Sequence, residues 1–529
     1  MTKNNLNTIL RNAGLSLEDI KPYIKLNGLV YEDNQEKYPE NVTLHKRDDL
    51  SLFYNKDLPD NTLIEGDNLE SLTYLKDSGA VVDVIYIDPP YNTGNKDFVY
   101  DDDFNKQKDT WRHSNWLSFM EKRLLLAKDL LSDEGVIFIS IDDNEQAHLR
   151  LLCDAIFGEE HFLGTLIQNK GNAQNDAHSL QSNHEYIHVY KKKNVRLYTP
   201  KKVYKQVFKD SVGFYYLGNP IVTGGARGTL KKSPTLGYTI YYHPETKDVI
   251  PYQDVNKEQA LISNDIHTVY TDNQELISKG YVPIRPPKKG KVLGAWTWGL
   301  EHAIDEKDTL HIYKRKDVYN ILPKKYVDSD KVTKNGKLYY FKDISWVNSR
   351  SILDFPTAQG TSSLTDIFDY KIFNNAKNVG LIKYLIQMHP NKNATVLDFF
   401  AGSGTTGQAV LELNKEDNGK RKFILCTINE VSNALDAKYL ADKGLIDKEP
   451  TVKRGKAYIK WKESIAAYQL KEEYKMILQQ EDYKKLGLCR SVTYERISAI
   501  LKGYTNNKGV EIEGIAANLN YYEVKNKSL

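Results

Sequence analysis

Cysteine is almost missing from this chain: Cys153, Cys426 and Cys489 are the only three among 529 residues. Their spacing fits neither a zinc site nor a disulfide framework, which sets aside stapled secreted domains and structural-zinc modules. Cys153 and Cys426 stand in apolar settings and are expected to be inert core thiols. Long apolar runs are absent too; none approaches the roughly 18–20 residues that a membrane span needs. The opening "MTKNNLNTILRNAGLSLEDIK" has no apolar stretch of the secretory kind, so the expected compartment is the cytoplasm, with no membrane partner. No Gly-Lys-[Ser/Thr] closes a glycine loop, so a Walker-type phosphate grip and helicase chemistry have no seat here. No internal repeat is visible, and no residues are read as metal ligands.

What the chain has is contrast. The net charge of +3 conceals 17 Lys and Arg against 31 Asp and Glu in residues 1–164, and 29 against 18 in residues 165–345. A basic middle third after an acidic start is what a segment meeting a polyanion such as DNA requires, although a solvated basic surface has the same signature.

Residues 1–45 read as short helices and turns, within an N-terminal extension that runs to 60. From Thr62 the pattern is α/β. "NTLIEG" is a strand, and "DNLESLTYLKD" a helix with Asp67 or Asn68 at its cap. "VVDVIYI" is a buried strand. "SNWLSFMEKRLLLAKDLLSDEG" is a helix whose Leu117, Met120, Leu124, Ala127 and Leu131 step by three and four until Gly135 stops it. "VIFISI" is a strand and "NEQAHLRLLCDAIFG" a helix. Such alternation predicts a doubly wound parallel sheet. The segment 195–345, rich in Tyr, Lys, Gly and Pro, reads as a separate β-rich insertion. The α/β pattern then returns over 346–445, so the insertion splits one sheet whose first half is 61–194. Residues 446–529 are largely helical, with a terminal strand at "LNYYEVK". The polar loop 171–183 joins one strand to the next and is expected to be mobile.

Asp398-Phe399-Phe400-Ala401-Gly402-Ser403-Gly404-Thr405-Thr406-Gly407 follows a strand and opens a helix. There the backbone N–H groups and the helix N-terminus face a ligand's anionic group, and glycines keep Cβ atoms out of the way. Gly402, Gly404 and Gly407 satisfy Gly-x-Gly-x-x-Gly, and Glu430 ends the next strand where a ribose-binding acid belongs. An adenosine-bearing cofactor follows; the loop alone does not separate a dinucleotide from S-adenosylmethionine.

Asp88-Pro89-Pro90-Tyr91 ends another strand, at the edge where open α/β sheets bind ligands. The carboxylate and the Pro89 carbonyl offer two acceptors to one exocyclic NH2. Pro90 stiffens the turn and needs no partner of its own. Tyr91 offers a face to a planar ring, a stack worth roughly 1–3 kcal/mol. Two acceptors draw the nitrogen lone pair out of conjugation and aim it, so that a methyl group held in line on a sulfonium can transfer.

Together, Asp88-Pro89-Pro90-Tyr91 and Phe400-Ala401-Gly402-Ser403-Gly404 resemble the amino-group DNA methyltransferases that use S-adenosylmethionine. The catalytic motif stands 310 residues ahead of the cofactor loop, as in the β-ordered subgroup. With "EGDNLESL", "GVIFISIDDNE" and "YERISAILKGY" added, residues 60–190 and 365–520 look similar to the modification subunit of type III restriction–modification systems. The resemblance implies a Rossmann-like methyltransferase sheet split by a target-recognition domain, with helical extensions at both ends. It implies that Asp88, Pro89, Pro90 and Tyr91 hold a flipped adenine. It also implies that Asp398, Phe400, Ala401, Gly402, Ser403, Gly404 and Thr405 line the cofactor, with Glu430 on its ribose and Asp67 near its adenine. The family's pre-loop motif usually reads Asn/Thr-Pro-Lys-Pro; here it is Asn375-Ala376-Lys377-Asn378, and Lys377 is carried over as a cofactor-side residue. Asp rather than Ser before the prolines is similar to the adenine-directed members, which leaves cytosine-N4 as the alternative. Implied partners are double-stranded DNA, a second copy of the chain and a restriction subunit. Two readings of other classes remain at this point: a nicotinamide-dependent oxidoreductase using the same glycine loop, and a DNA-binding assembly subunit with a vestigial site.

Overall fold

The computed structural model describes residues 36–93, 112–171, 181–222, 228–370, 372–373 and 375–526. The helical reading of residues 1–35 and the centre of the polar loop, 172–180, lie outside them. The chain forms two units: one runs to Thr199 and resumes at Val347, and the other is Pro200–Trp346.

The first unit is built on a ten-stranded sheet. Its strands are β1 (Val42–Lys46), β2 (Asp60–Glu65), β3 (Val82–Ile87), β4 (Leu131–Ile141), β5 (Phe162–Asn169), β6 (His184–Lys191), β7 (Ile352–Asp354), β8 (Thr395–Asp398), β9 (Lys422–Thr427) and β10 (Asn518–Asn526). They lie in the order β1-β10-β2-β9-β8-β3-β4-β6-β5-β7. The run from β10 through β2, β9, β8 and β3 to β4 is parallel. The sheet as a whole is mixed, because β6 runs antiparallel to both β4 and β5, and β1 antiparallel to β10.

Alternation along each strand explains why the sheet is wound on both faces. Val84 and Tyr86 join a core with Leu381, Leu385, Val410 and Ile497. Ile85 and Ile87 join a second with Leu72, Met120, Leu124 and Leu149 on the opposite face. Helices α1 (Asn68–Asp77), α2 (Arg112–Leu130) and α3 (Gln146–Phe157) supply the second core. The first is supplied by α4 (Val379–Gln387), α5 (Thr405–Asp417) and α6 (Glu495–Lys502).

Two expectations change. The helix foreseen through Gly135 ends at Leu130, and Leu131 already pairs with Val82; sheet pairing outbids the helical spacing of that residue. The stretches before residue 60 and after 446 are not simply helical appendages. The terminal strand forms as β10 and is threaded between β1 and β2, inside the sheet.

In the second unit, the segment whose sequence pattern spans 195–345, one six-stranded sheet contains Tyr198–Lys209, Phe214–Leu217, Leu310–Arg315, Val318–Val327, Val332–Asn335 and Leu338–Asn348. A three-stranded sheet contains Thr239–Tyr242, Val249–Tyr252 and Val282–Ile284. Lysines lie over aromatic rings of the six-stranded sheet, as Lys205 does over Tyr216 at 3.9 Å and Lys324 over Tyr215 at 4.9 Å.

Candidate active site

Strands β8 and β3 are parallel neighbours, with Leu397 opposite Ile85. The two chemical motifs therefore leave the same sheet edge side by side. This is also where chain order reverses, β3 leading away to β4 and β8 to β9, the place where such sheets open a crevice. A cleft of about 560 Å³ lies there, lined by Asp88, Pro89, Pro90, Tyr91, Lys377, Asp398, Phe400, Ala401, Gly402, Ser403 and Thr405. Gly404, Asp67 and Glu430 do not line it. Glu430 faces an adjoining depression of about 480 Å³ with Glu65, Gly66 and Asn429, and Ile428 is shared by both. Asp67 caps α1, accepting from the Leu69 N–H at 2.7 Å.

The Asp88 end is a network of charges. Asp88 Oδ1 accepts from the Tyr91 hydroxyl at 2.8 Å and pairs with Lys377 Nζ at 3.1 Å. Lys377 also donates to the Tyr91 oxygen at 2.6 Å and to Glu185 Oε2 at 2.8 Å, and lies 4.9 Å above the Tyr91 ring. Lys170 holds the other Glu185 oxygen at 2.9 Å. Burial pushes the Asp88 carboxyl up from its usual range, while Lys377 pulls it back. Burial would also raise Glu185, but Lys377 and Lys170 overcome it and bring that carboxyl down to about 2. Lys377 itself loses to burial and gains more from Asp88 and Glu185, so its ammonium is held above the ordinary lysine value.

The turn is fixed from behind. Trp116 Nε1 donates to the Pro90 carbonyl at 2.7 Å. Asn92, in the left-handed region at φ 56°, donates to the buried Glu145 carboxylate at 2.5 Å. The Nδ1 atoms of His113 and His148 lie 2.7 and 3.0 Å from the same carboxylate. Those three residues form the one metal-type grouping among the described residues. Here the carboxylate already serves as acceptor for the turn.

At the other end, Asp398 accepts from the Phe400 N–H at 3.0 Å and the Thr406 hydroxyl at 2.5 Å. Burial still drives its carboxyl up to about 7. Gly402 and Gly404 take φ of 49° and 79°, where a side chain is strained, and a Cβ on Gly404 would meet Thr493 Cγ2 at 3.1 Å. Asn68 ties the loop to α1 by donating to the Phe399 carbonyl at 3.1 Å.

A family model described as a DNA methylase matches residues 82–438. The chain belongs to this family of DNA methylases. It is 34% identical over 407 residues to the type III restriction-modification enzyme EcoPI Mod subunit of Escherichia phage P1, covering 70% of this chain and 58% of that one. It is 33% identical over 389 residues to the type II methyltransferase M.KpnI of Klebsiella pneumoniae, covering 72% and 84% respectively. The chain thus spans less than two thirds of the EcoPI subunit's length. The M1.HpyAVI–SAM complex aligns at 14% identity over 73% of this chain and 98% of that one, with a TM-score of 0.28, too low to carry weight.

The methylase sheet explains what sequence reading missed. Glu185 is the second residue of β6, and because β6 is antiparallel to β4 its beginning lies at the edge where β3 and β4 end. An acid leading an apolar strand, "HEYIHVY", was the available signal. Lys377 is brought to the Asp88 end of the cleft, against Asp88, Tyr91 and Glu185.

Proposed function

We propose that this chain is a site-specific DNA adenine-N6 methyltransferase that takes its methyl group from S-adenosylmethionine. The supporting observation is the meeting of the Asp88 turn and the glycine loop in one cleft, on adjacent strands. The residues suit the cofactor. Left-handed glycines bare the loop backbone, and the cleft has the volume of a small-molecule site. The adjoining depression with Glu430 lies at the end of β9, on the side of the loop away from Asp88. In this reading 346–445 is the cofactor half and 61–194 the catalytic half. Ser403, Thr405 and the loop N–H groups hold the methionine end, Glu430 the ribose, and Phe400 the adenine, near which Asp67 caps α1. The bound cofactor supplies an electrophilic methyl group on a sulfonium.

The target adenine leaves the duplex, at a cost of a few kcal/mol. Tyr91 stacks on it, and Asp88 with the Pro89 carbonyl takes its two N–H groups. Lys377 occupies Asp88 in the free site; Glu185 offers that ammonium a second partner, so Asp88 can accept the base without stranding a buried charge. Asp88, raised by burial, is the nearest base for the proton that the methylated nitrogen sheds.

The basic, aromatic sheet of residues 200–346 is the proposed target-recognition unit on double-stranded DNA. The likeness to a Mod subunit of a restriction-modification enzyme supports a restriction subunit as partner; a second copy of this chain and a cytoplasmic setting belong to the same proposal. No described helix is long and apolar enough to cross a membrane. Digested DNA from a reaction with labelled S-adenosylmethionine should yield labelled N6-methyldeoxyadenosine. Label in N4-methyldeoxycytidine would replace adenine by cytosine, and no label in DNA of varied sequence would end the reading.

A further inference from the structure

Helix α6 packs behind the glycine loop from about 90 residues downstream, and its one charged side chain aimed at the loop is Arg496. The guanidinium is fully buried. Its Nη1 donates to the Ser403 carbonyl at 3.2 Å, to Ser403 Oγ at 3.1 Å and to Thr405 Oγ1 at 2.9 Å. Its Nε donates to Gln408 Oε1 at 2.8 Å. Nη2 meets no acceptor among the described residues. The π-helical segment Cys489–Tyr494 that runs into α6 adds a second hold, Thr493 Oγ1 donating to the Gly402 carbonyl at 2.5 Å.

Every partner of this cation is neutral. The carboxylate whose charge it feels, Glu412, is bonded instead to Gln408 at 2.8 Å and Lys383 at 3.0 Å. Burial brings the guanidinium down to about 9, against an ordinary 12.5. A buried charge without a counter-ion is costly and needs a compensating anion nearby. Ser403 and Thr405 line the cleft while Arg496 does not, so the charge is presented to a ligand through those two residues and the N-terminus of α5.

We propose that Arg496 is the positioning residue that makes the cofactor loop selective for ligands carrying an α-carboxylate. It sets the Ser403 and Thr405 hydroxyls toward that group and supplies the positive potential that their own dipoles lack. The assignment rests on the cofactor reading above, which says which ligand the loop takes.

The test is calorimetry on the full chain with two ligands: S-adenosylhomocysteine, and its decarboxylated analogue. The wild type should bind the first about 10- to 100-fold more tightly, the range of a hydrogen bond to a charged group. Arg496→Met should collapse that ratio toward unity by weakening only the carboxylate-bearing ligand. Arg496→Lys, which keeps the charge but loses the fork, should retain part of the ratio and serves if the methionine variant does not fold. Equal weakening of both ligands, or an unchanged ratio in a folded variant, would mean a structural role only and would overturn the proposal. A wild type that binds neither ligand would instead sink the cofactor reading, and this assignment with it.

Discussion

Asp88 stands between a cation that keeps it ionised and a burial that would neutralise it, and its protonation depends on the balance. Asp88→Ala should cut methyl transfer by about 10²–10³-fold or more while sparing cofactor affinity, read by single-turnover kinetics beside calorimetry. Lys377→Met should move the acid limb of the kcat/KM profile to higher pH, because burial and Glu185 repulsion then raise Asp88 against the Tyr91 hydrogen bond without the cation; an unmoved limb would show that Lys377 does not tune it. Asp398 carries a different pH dependence. Its folded value of about 7 lies above the ordinary 3.8, so the folded chain keeps a proton that the unfolded chain has released. Its contribution to stability is therefore full below about 3.8 and is lost as pH rises through about 7. A cationic cofactor favours the ionised form, so the thermal shift given by S-adenosylmethionine should grow between pH 6 and 8, and Asp398→Asn should flatten that growth. At this scale the meeting of the Asp88 turn and the glycine loop at one sheet edge was legible, because each motif ends a strand. Glu185 and Arg496 were not: each earns its place through a strand direction or a helix packing that spacing does not encode.

The loop between β8 and α5 is a junction that several elements must agree on. Gly404→Ala places a side chain at φ 79° and 3.1 Å from Thr493. It should cost about 1–2 kcal/mol in chemical denaturation and weaken cofactor binding in parallel. A loss of stability with unchanged binding would show that the loop's left-handed turn is only a packing device. Strand and helix alternation around this loop was readable because apolar periods of two and of three to four differ plainly. Leu131 was misread because it satisfies both periods, and only its pairing with Val82 decides. The antiparallel β6 also escaped, since a buried strand reads alike in either direction.

For the whole molecule, the insertion departs and returns at one place in the first unit, where Thr199 Oγ1 and Ser349 Oγ lie 2.8 Å apart. Replacing 200–346 by a short turn should leave cofactor affinity intact and abolish methylation of DNA. If 200–346 is the DNA-binding unit, affinity of the full chain for duplex should fall steeply with salt, by about 0.9 log unit per tenfold salt for each phosphate neutralised; a flat profile would deny the basic unit that role. The sheet imposes a further consequence, one of timing. Strand β2 at Asp60–Glu65 pairs with β10 at Asn518–Asn526. At about 5–20 residues per second, a ribosome needs roughly 20–90 seconds between making the two. Through that interval the edge of β2 that takes β10 stays unpaired, so a chain cut short before Asn518 is expected to lose cooperative unfolding of the whole sheet and not only its last strand.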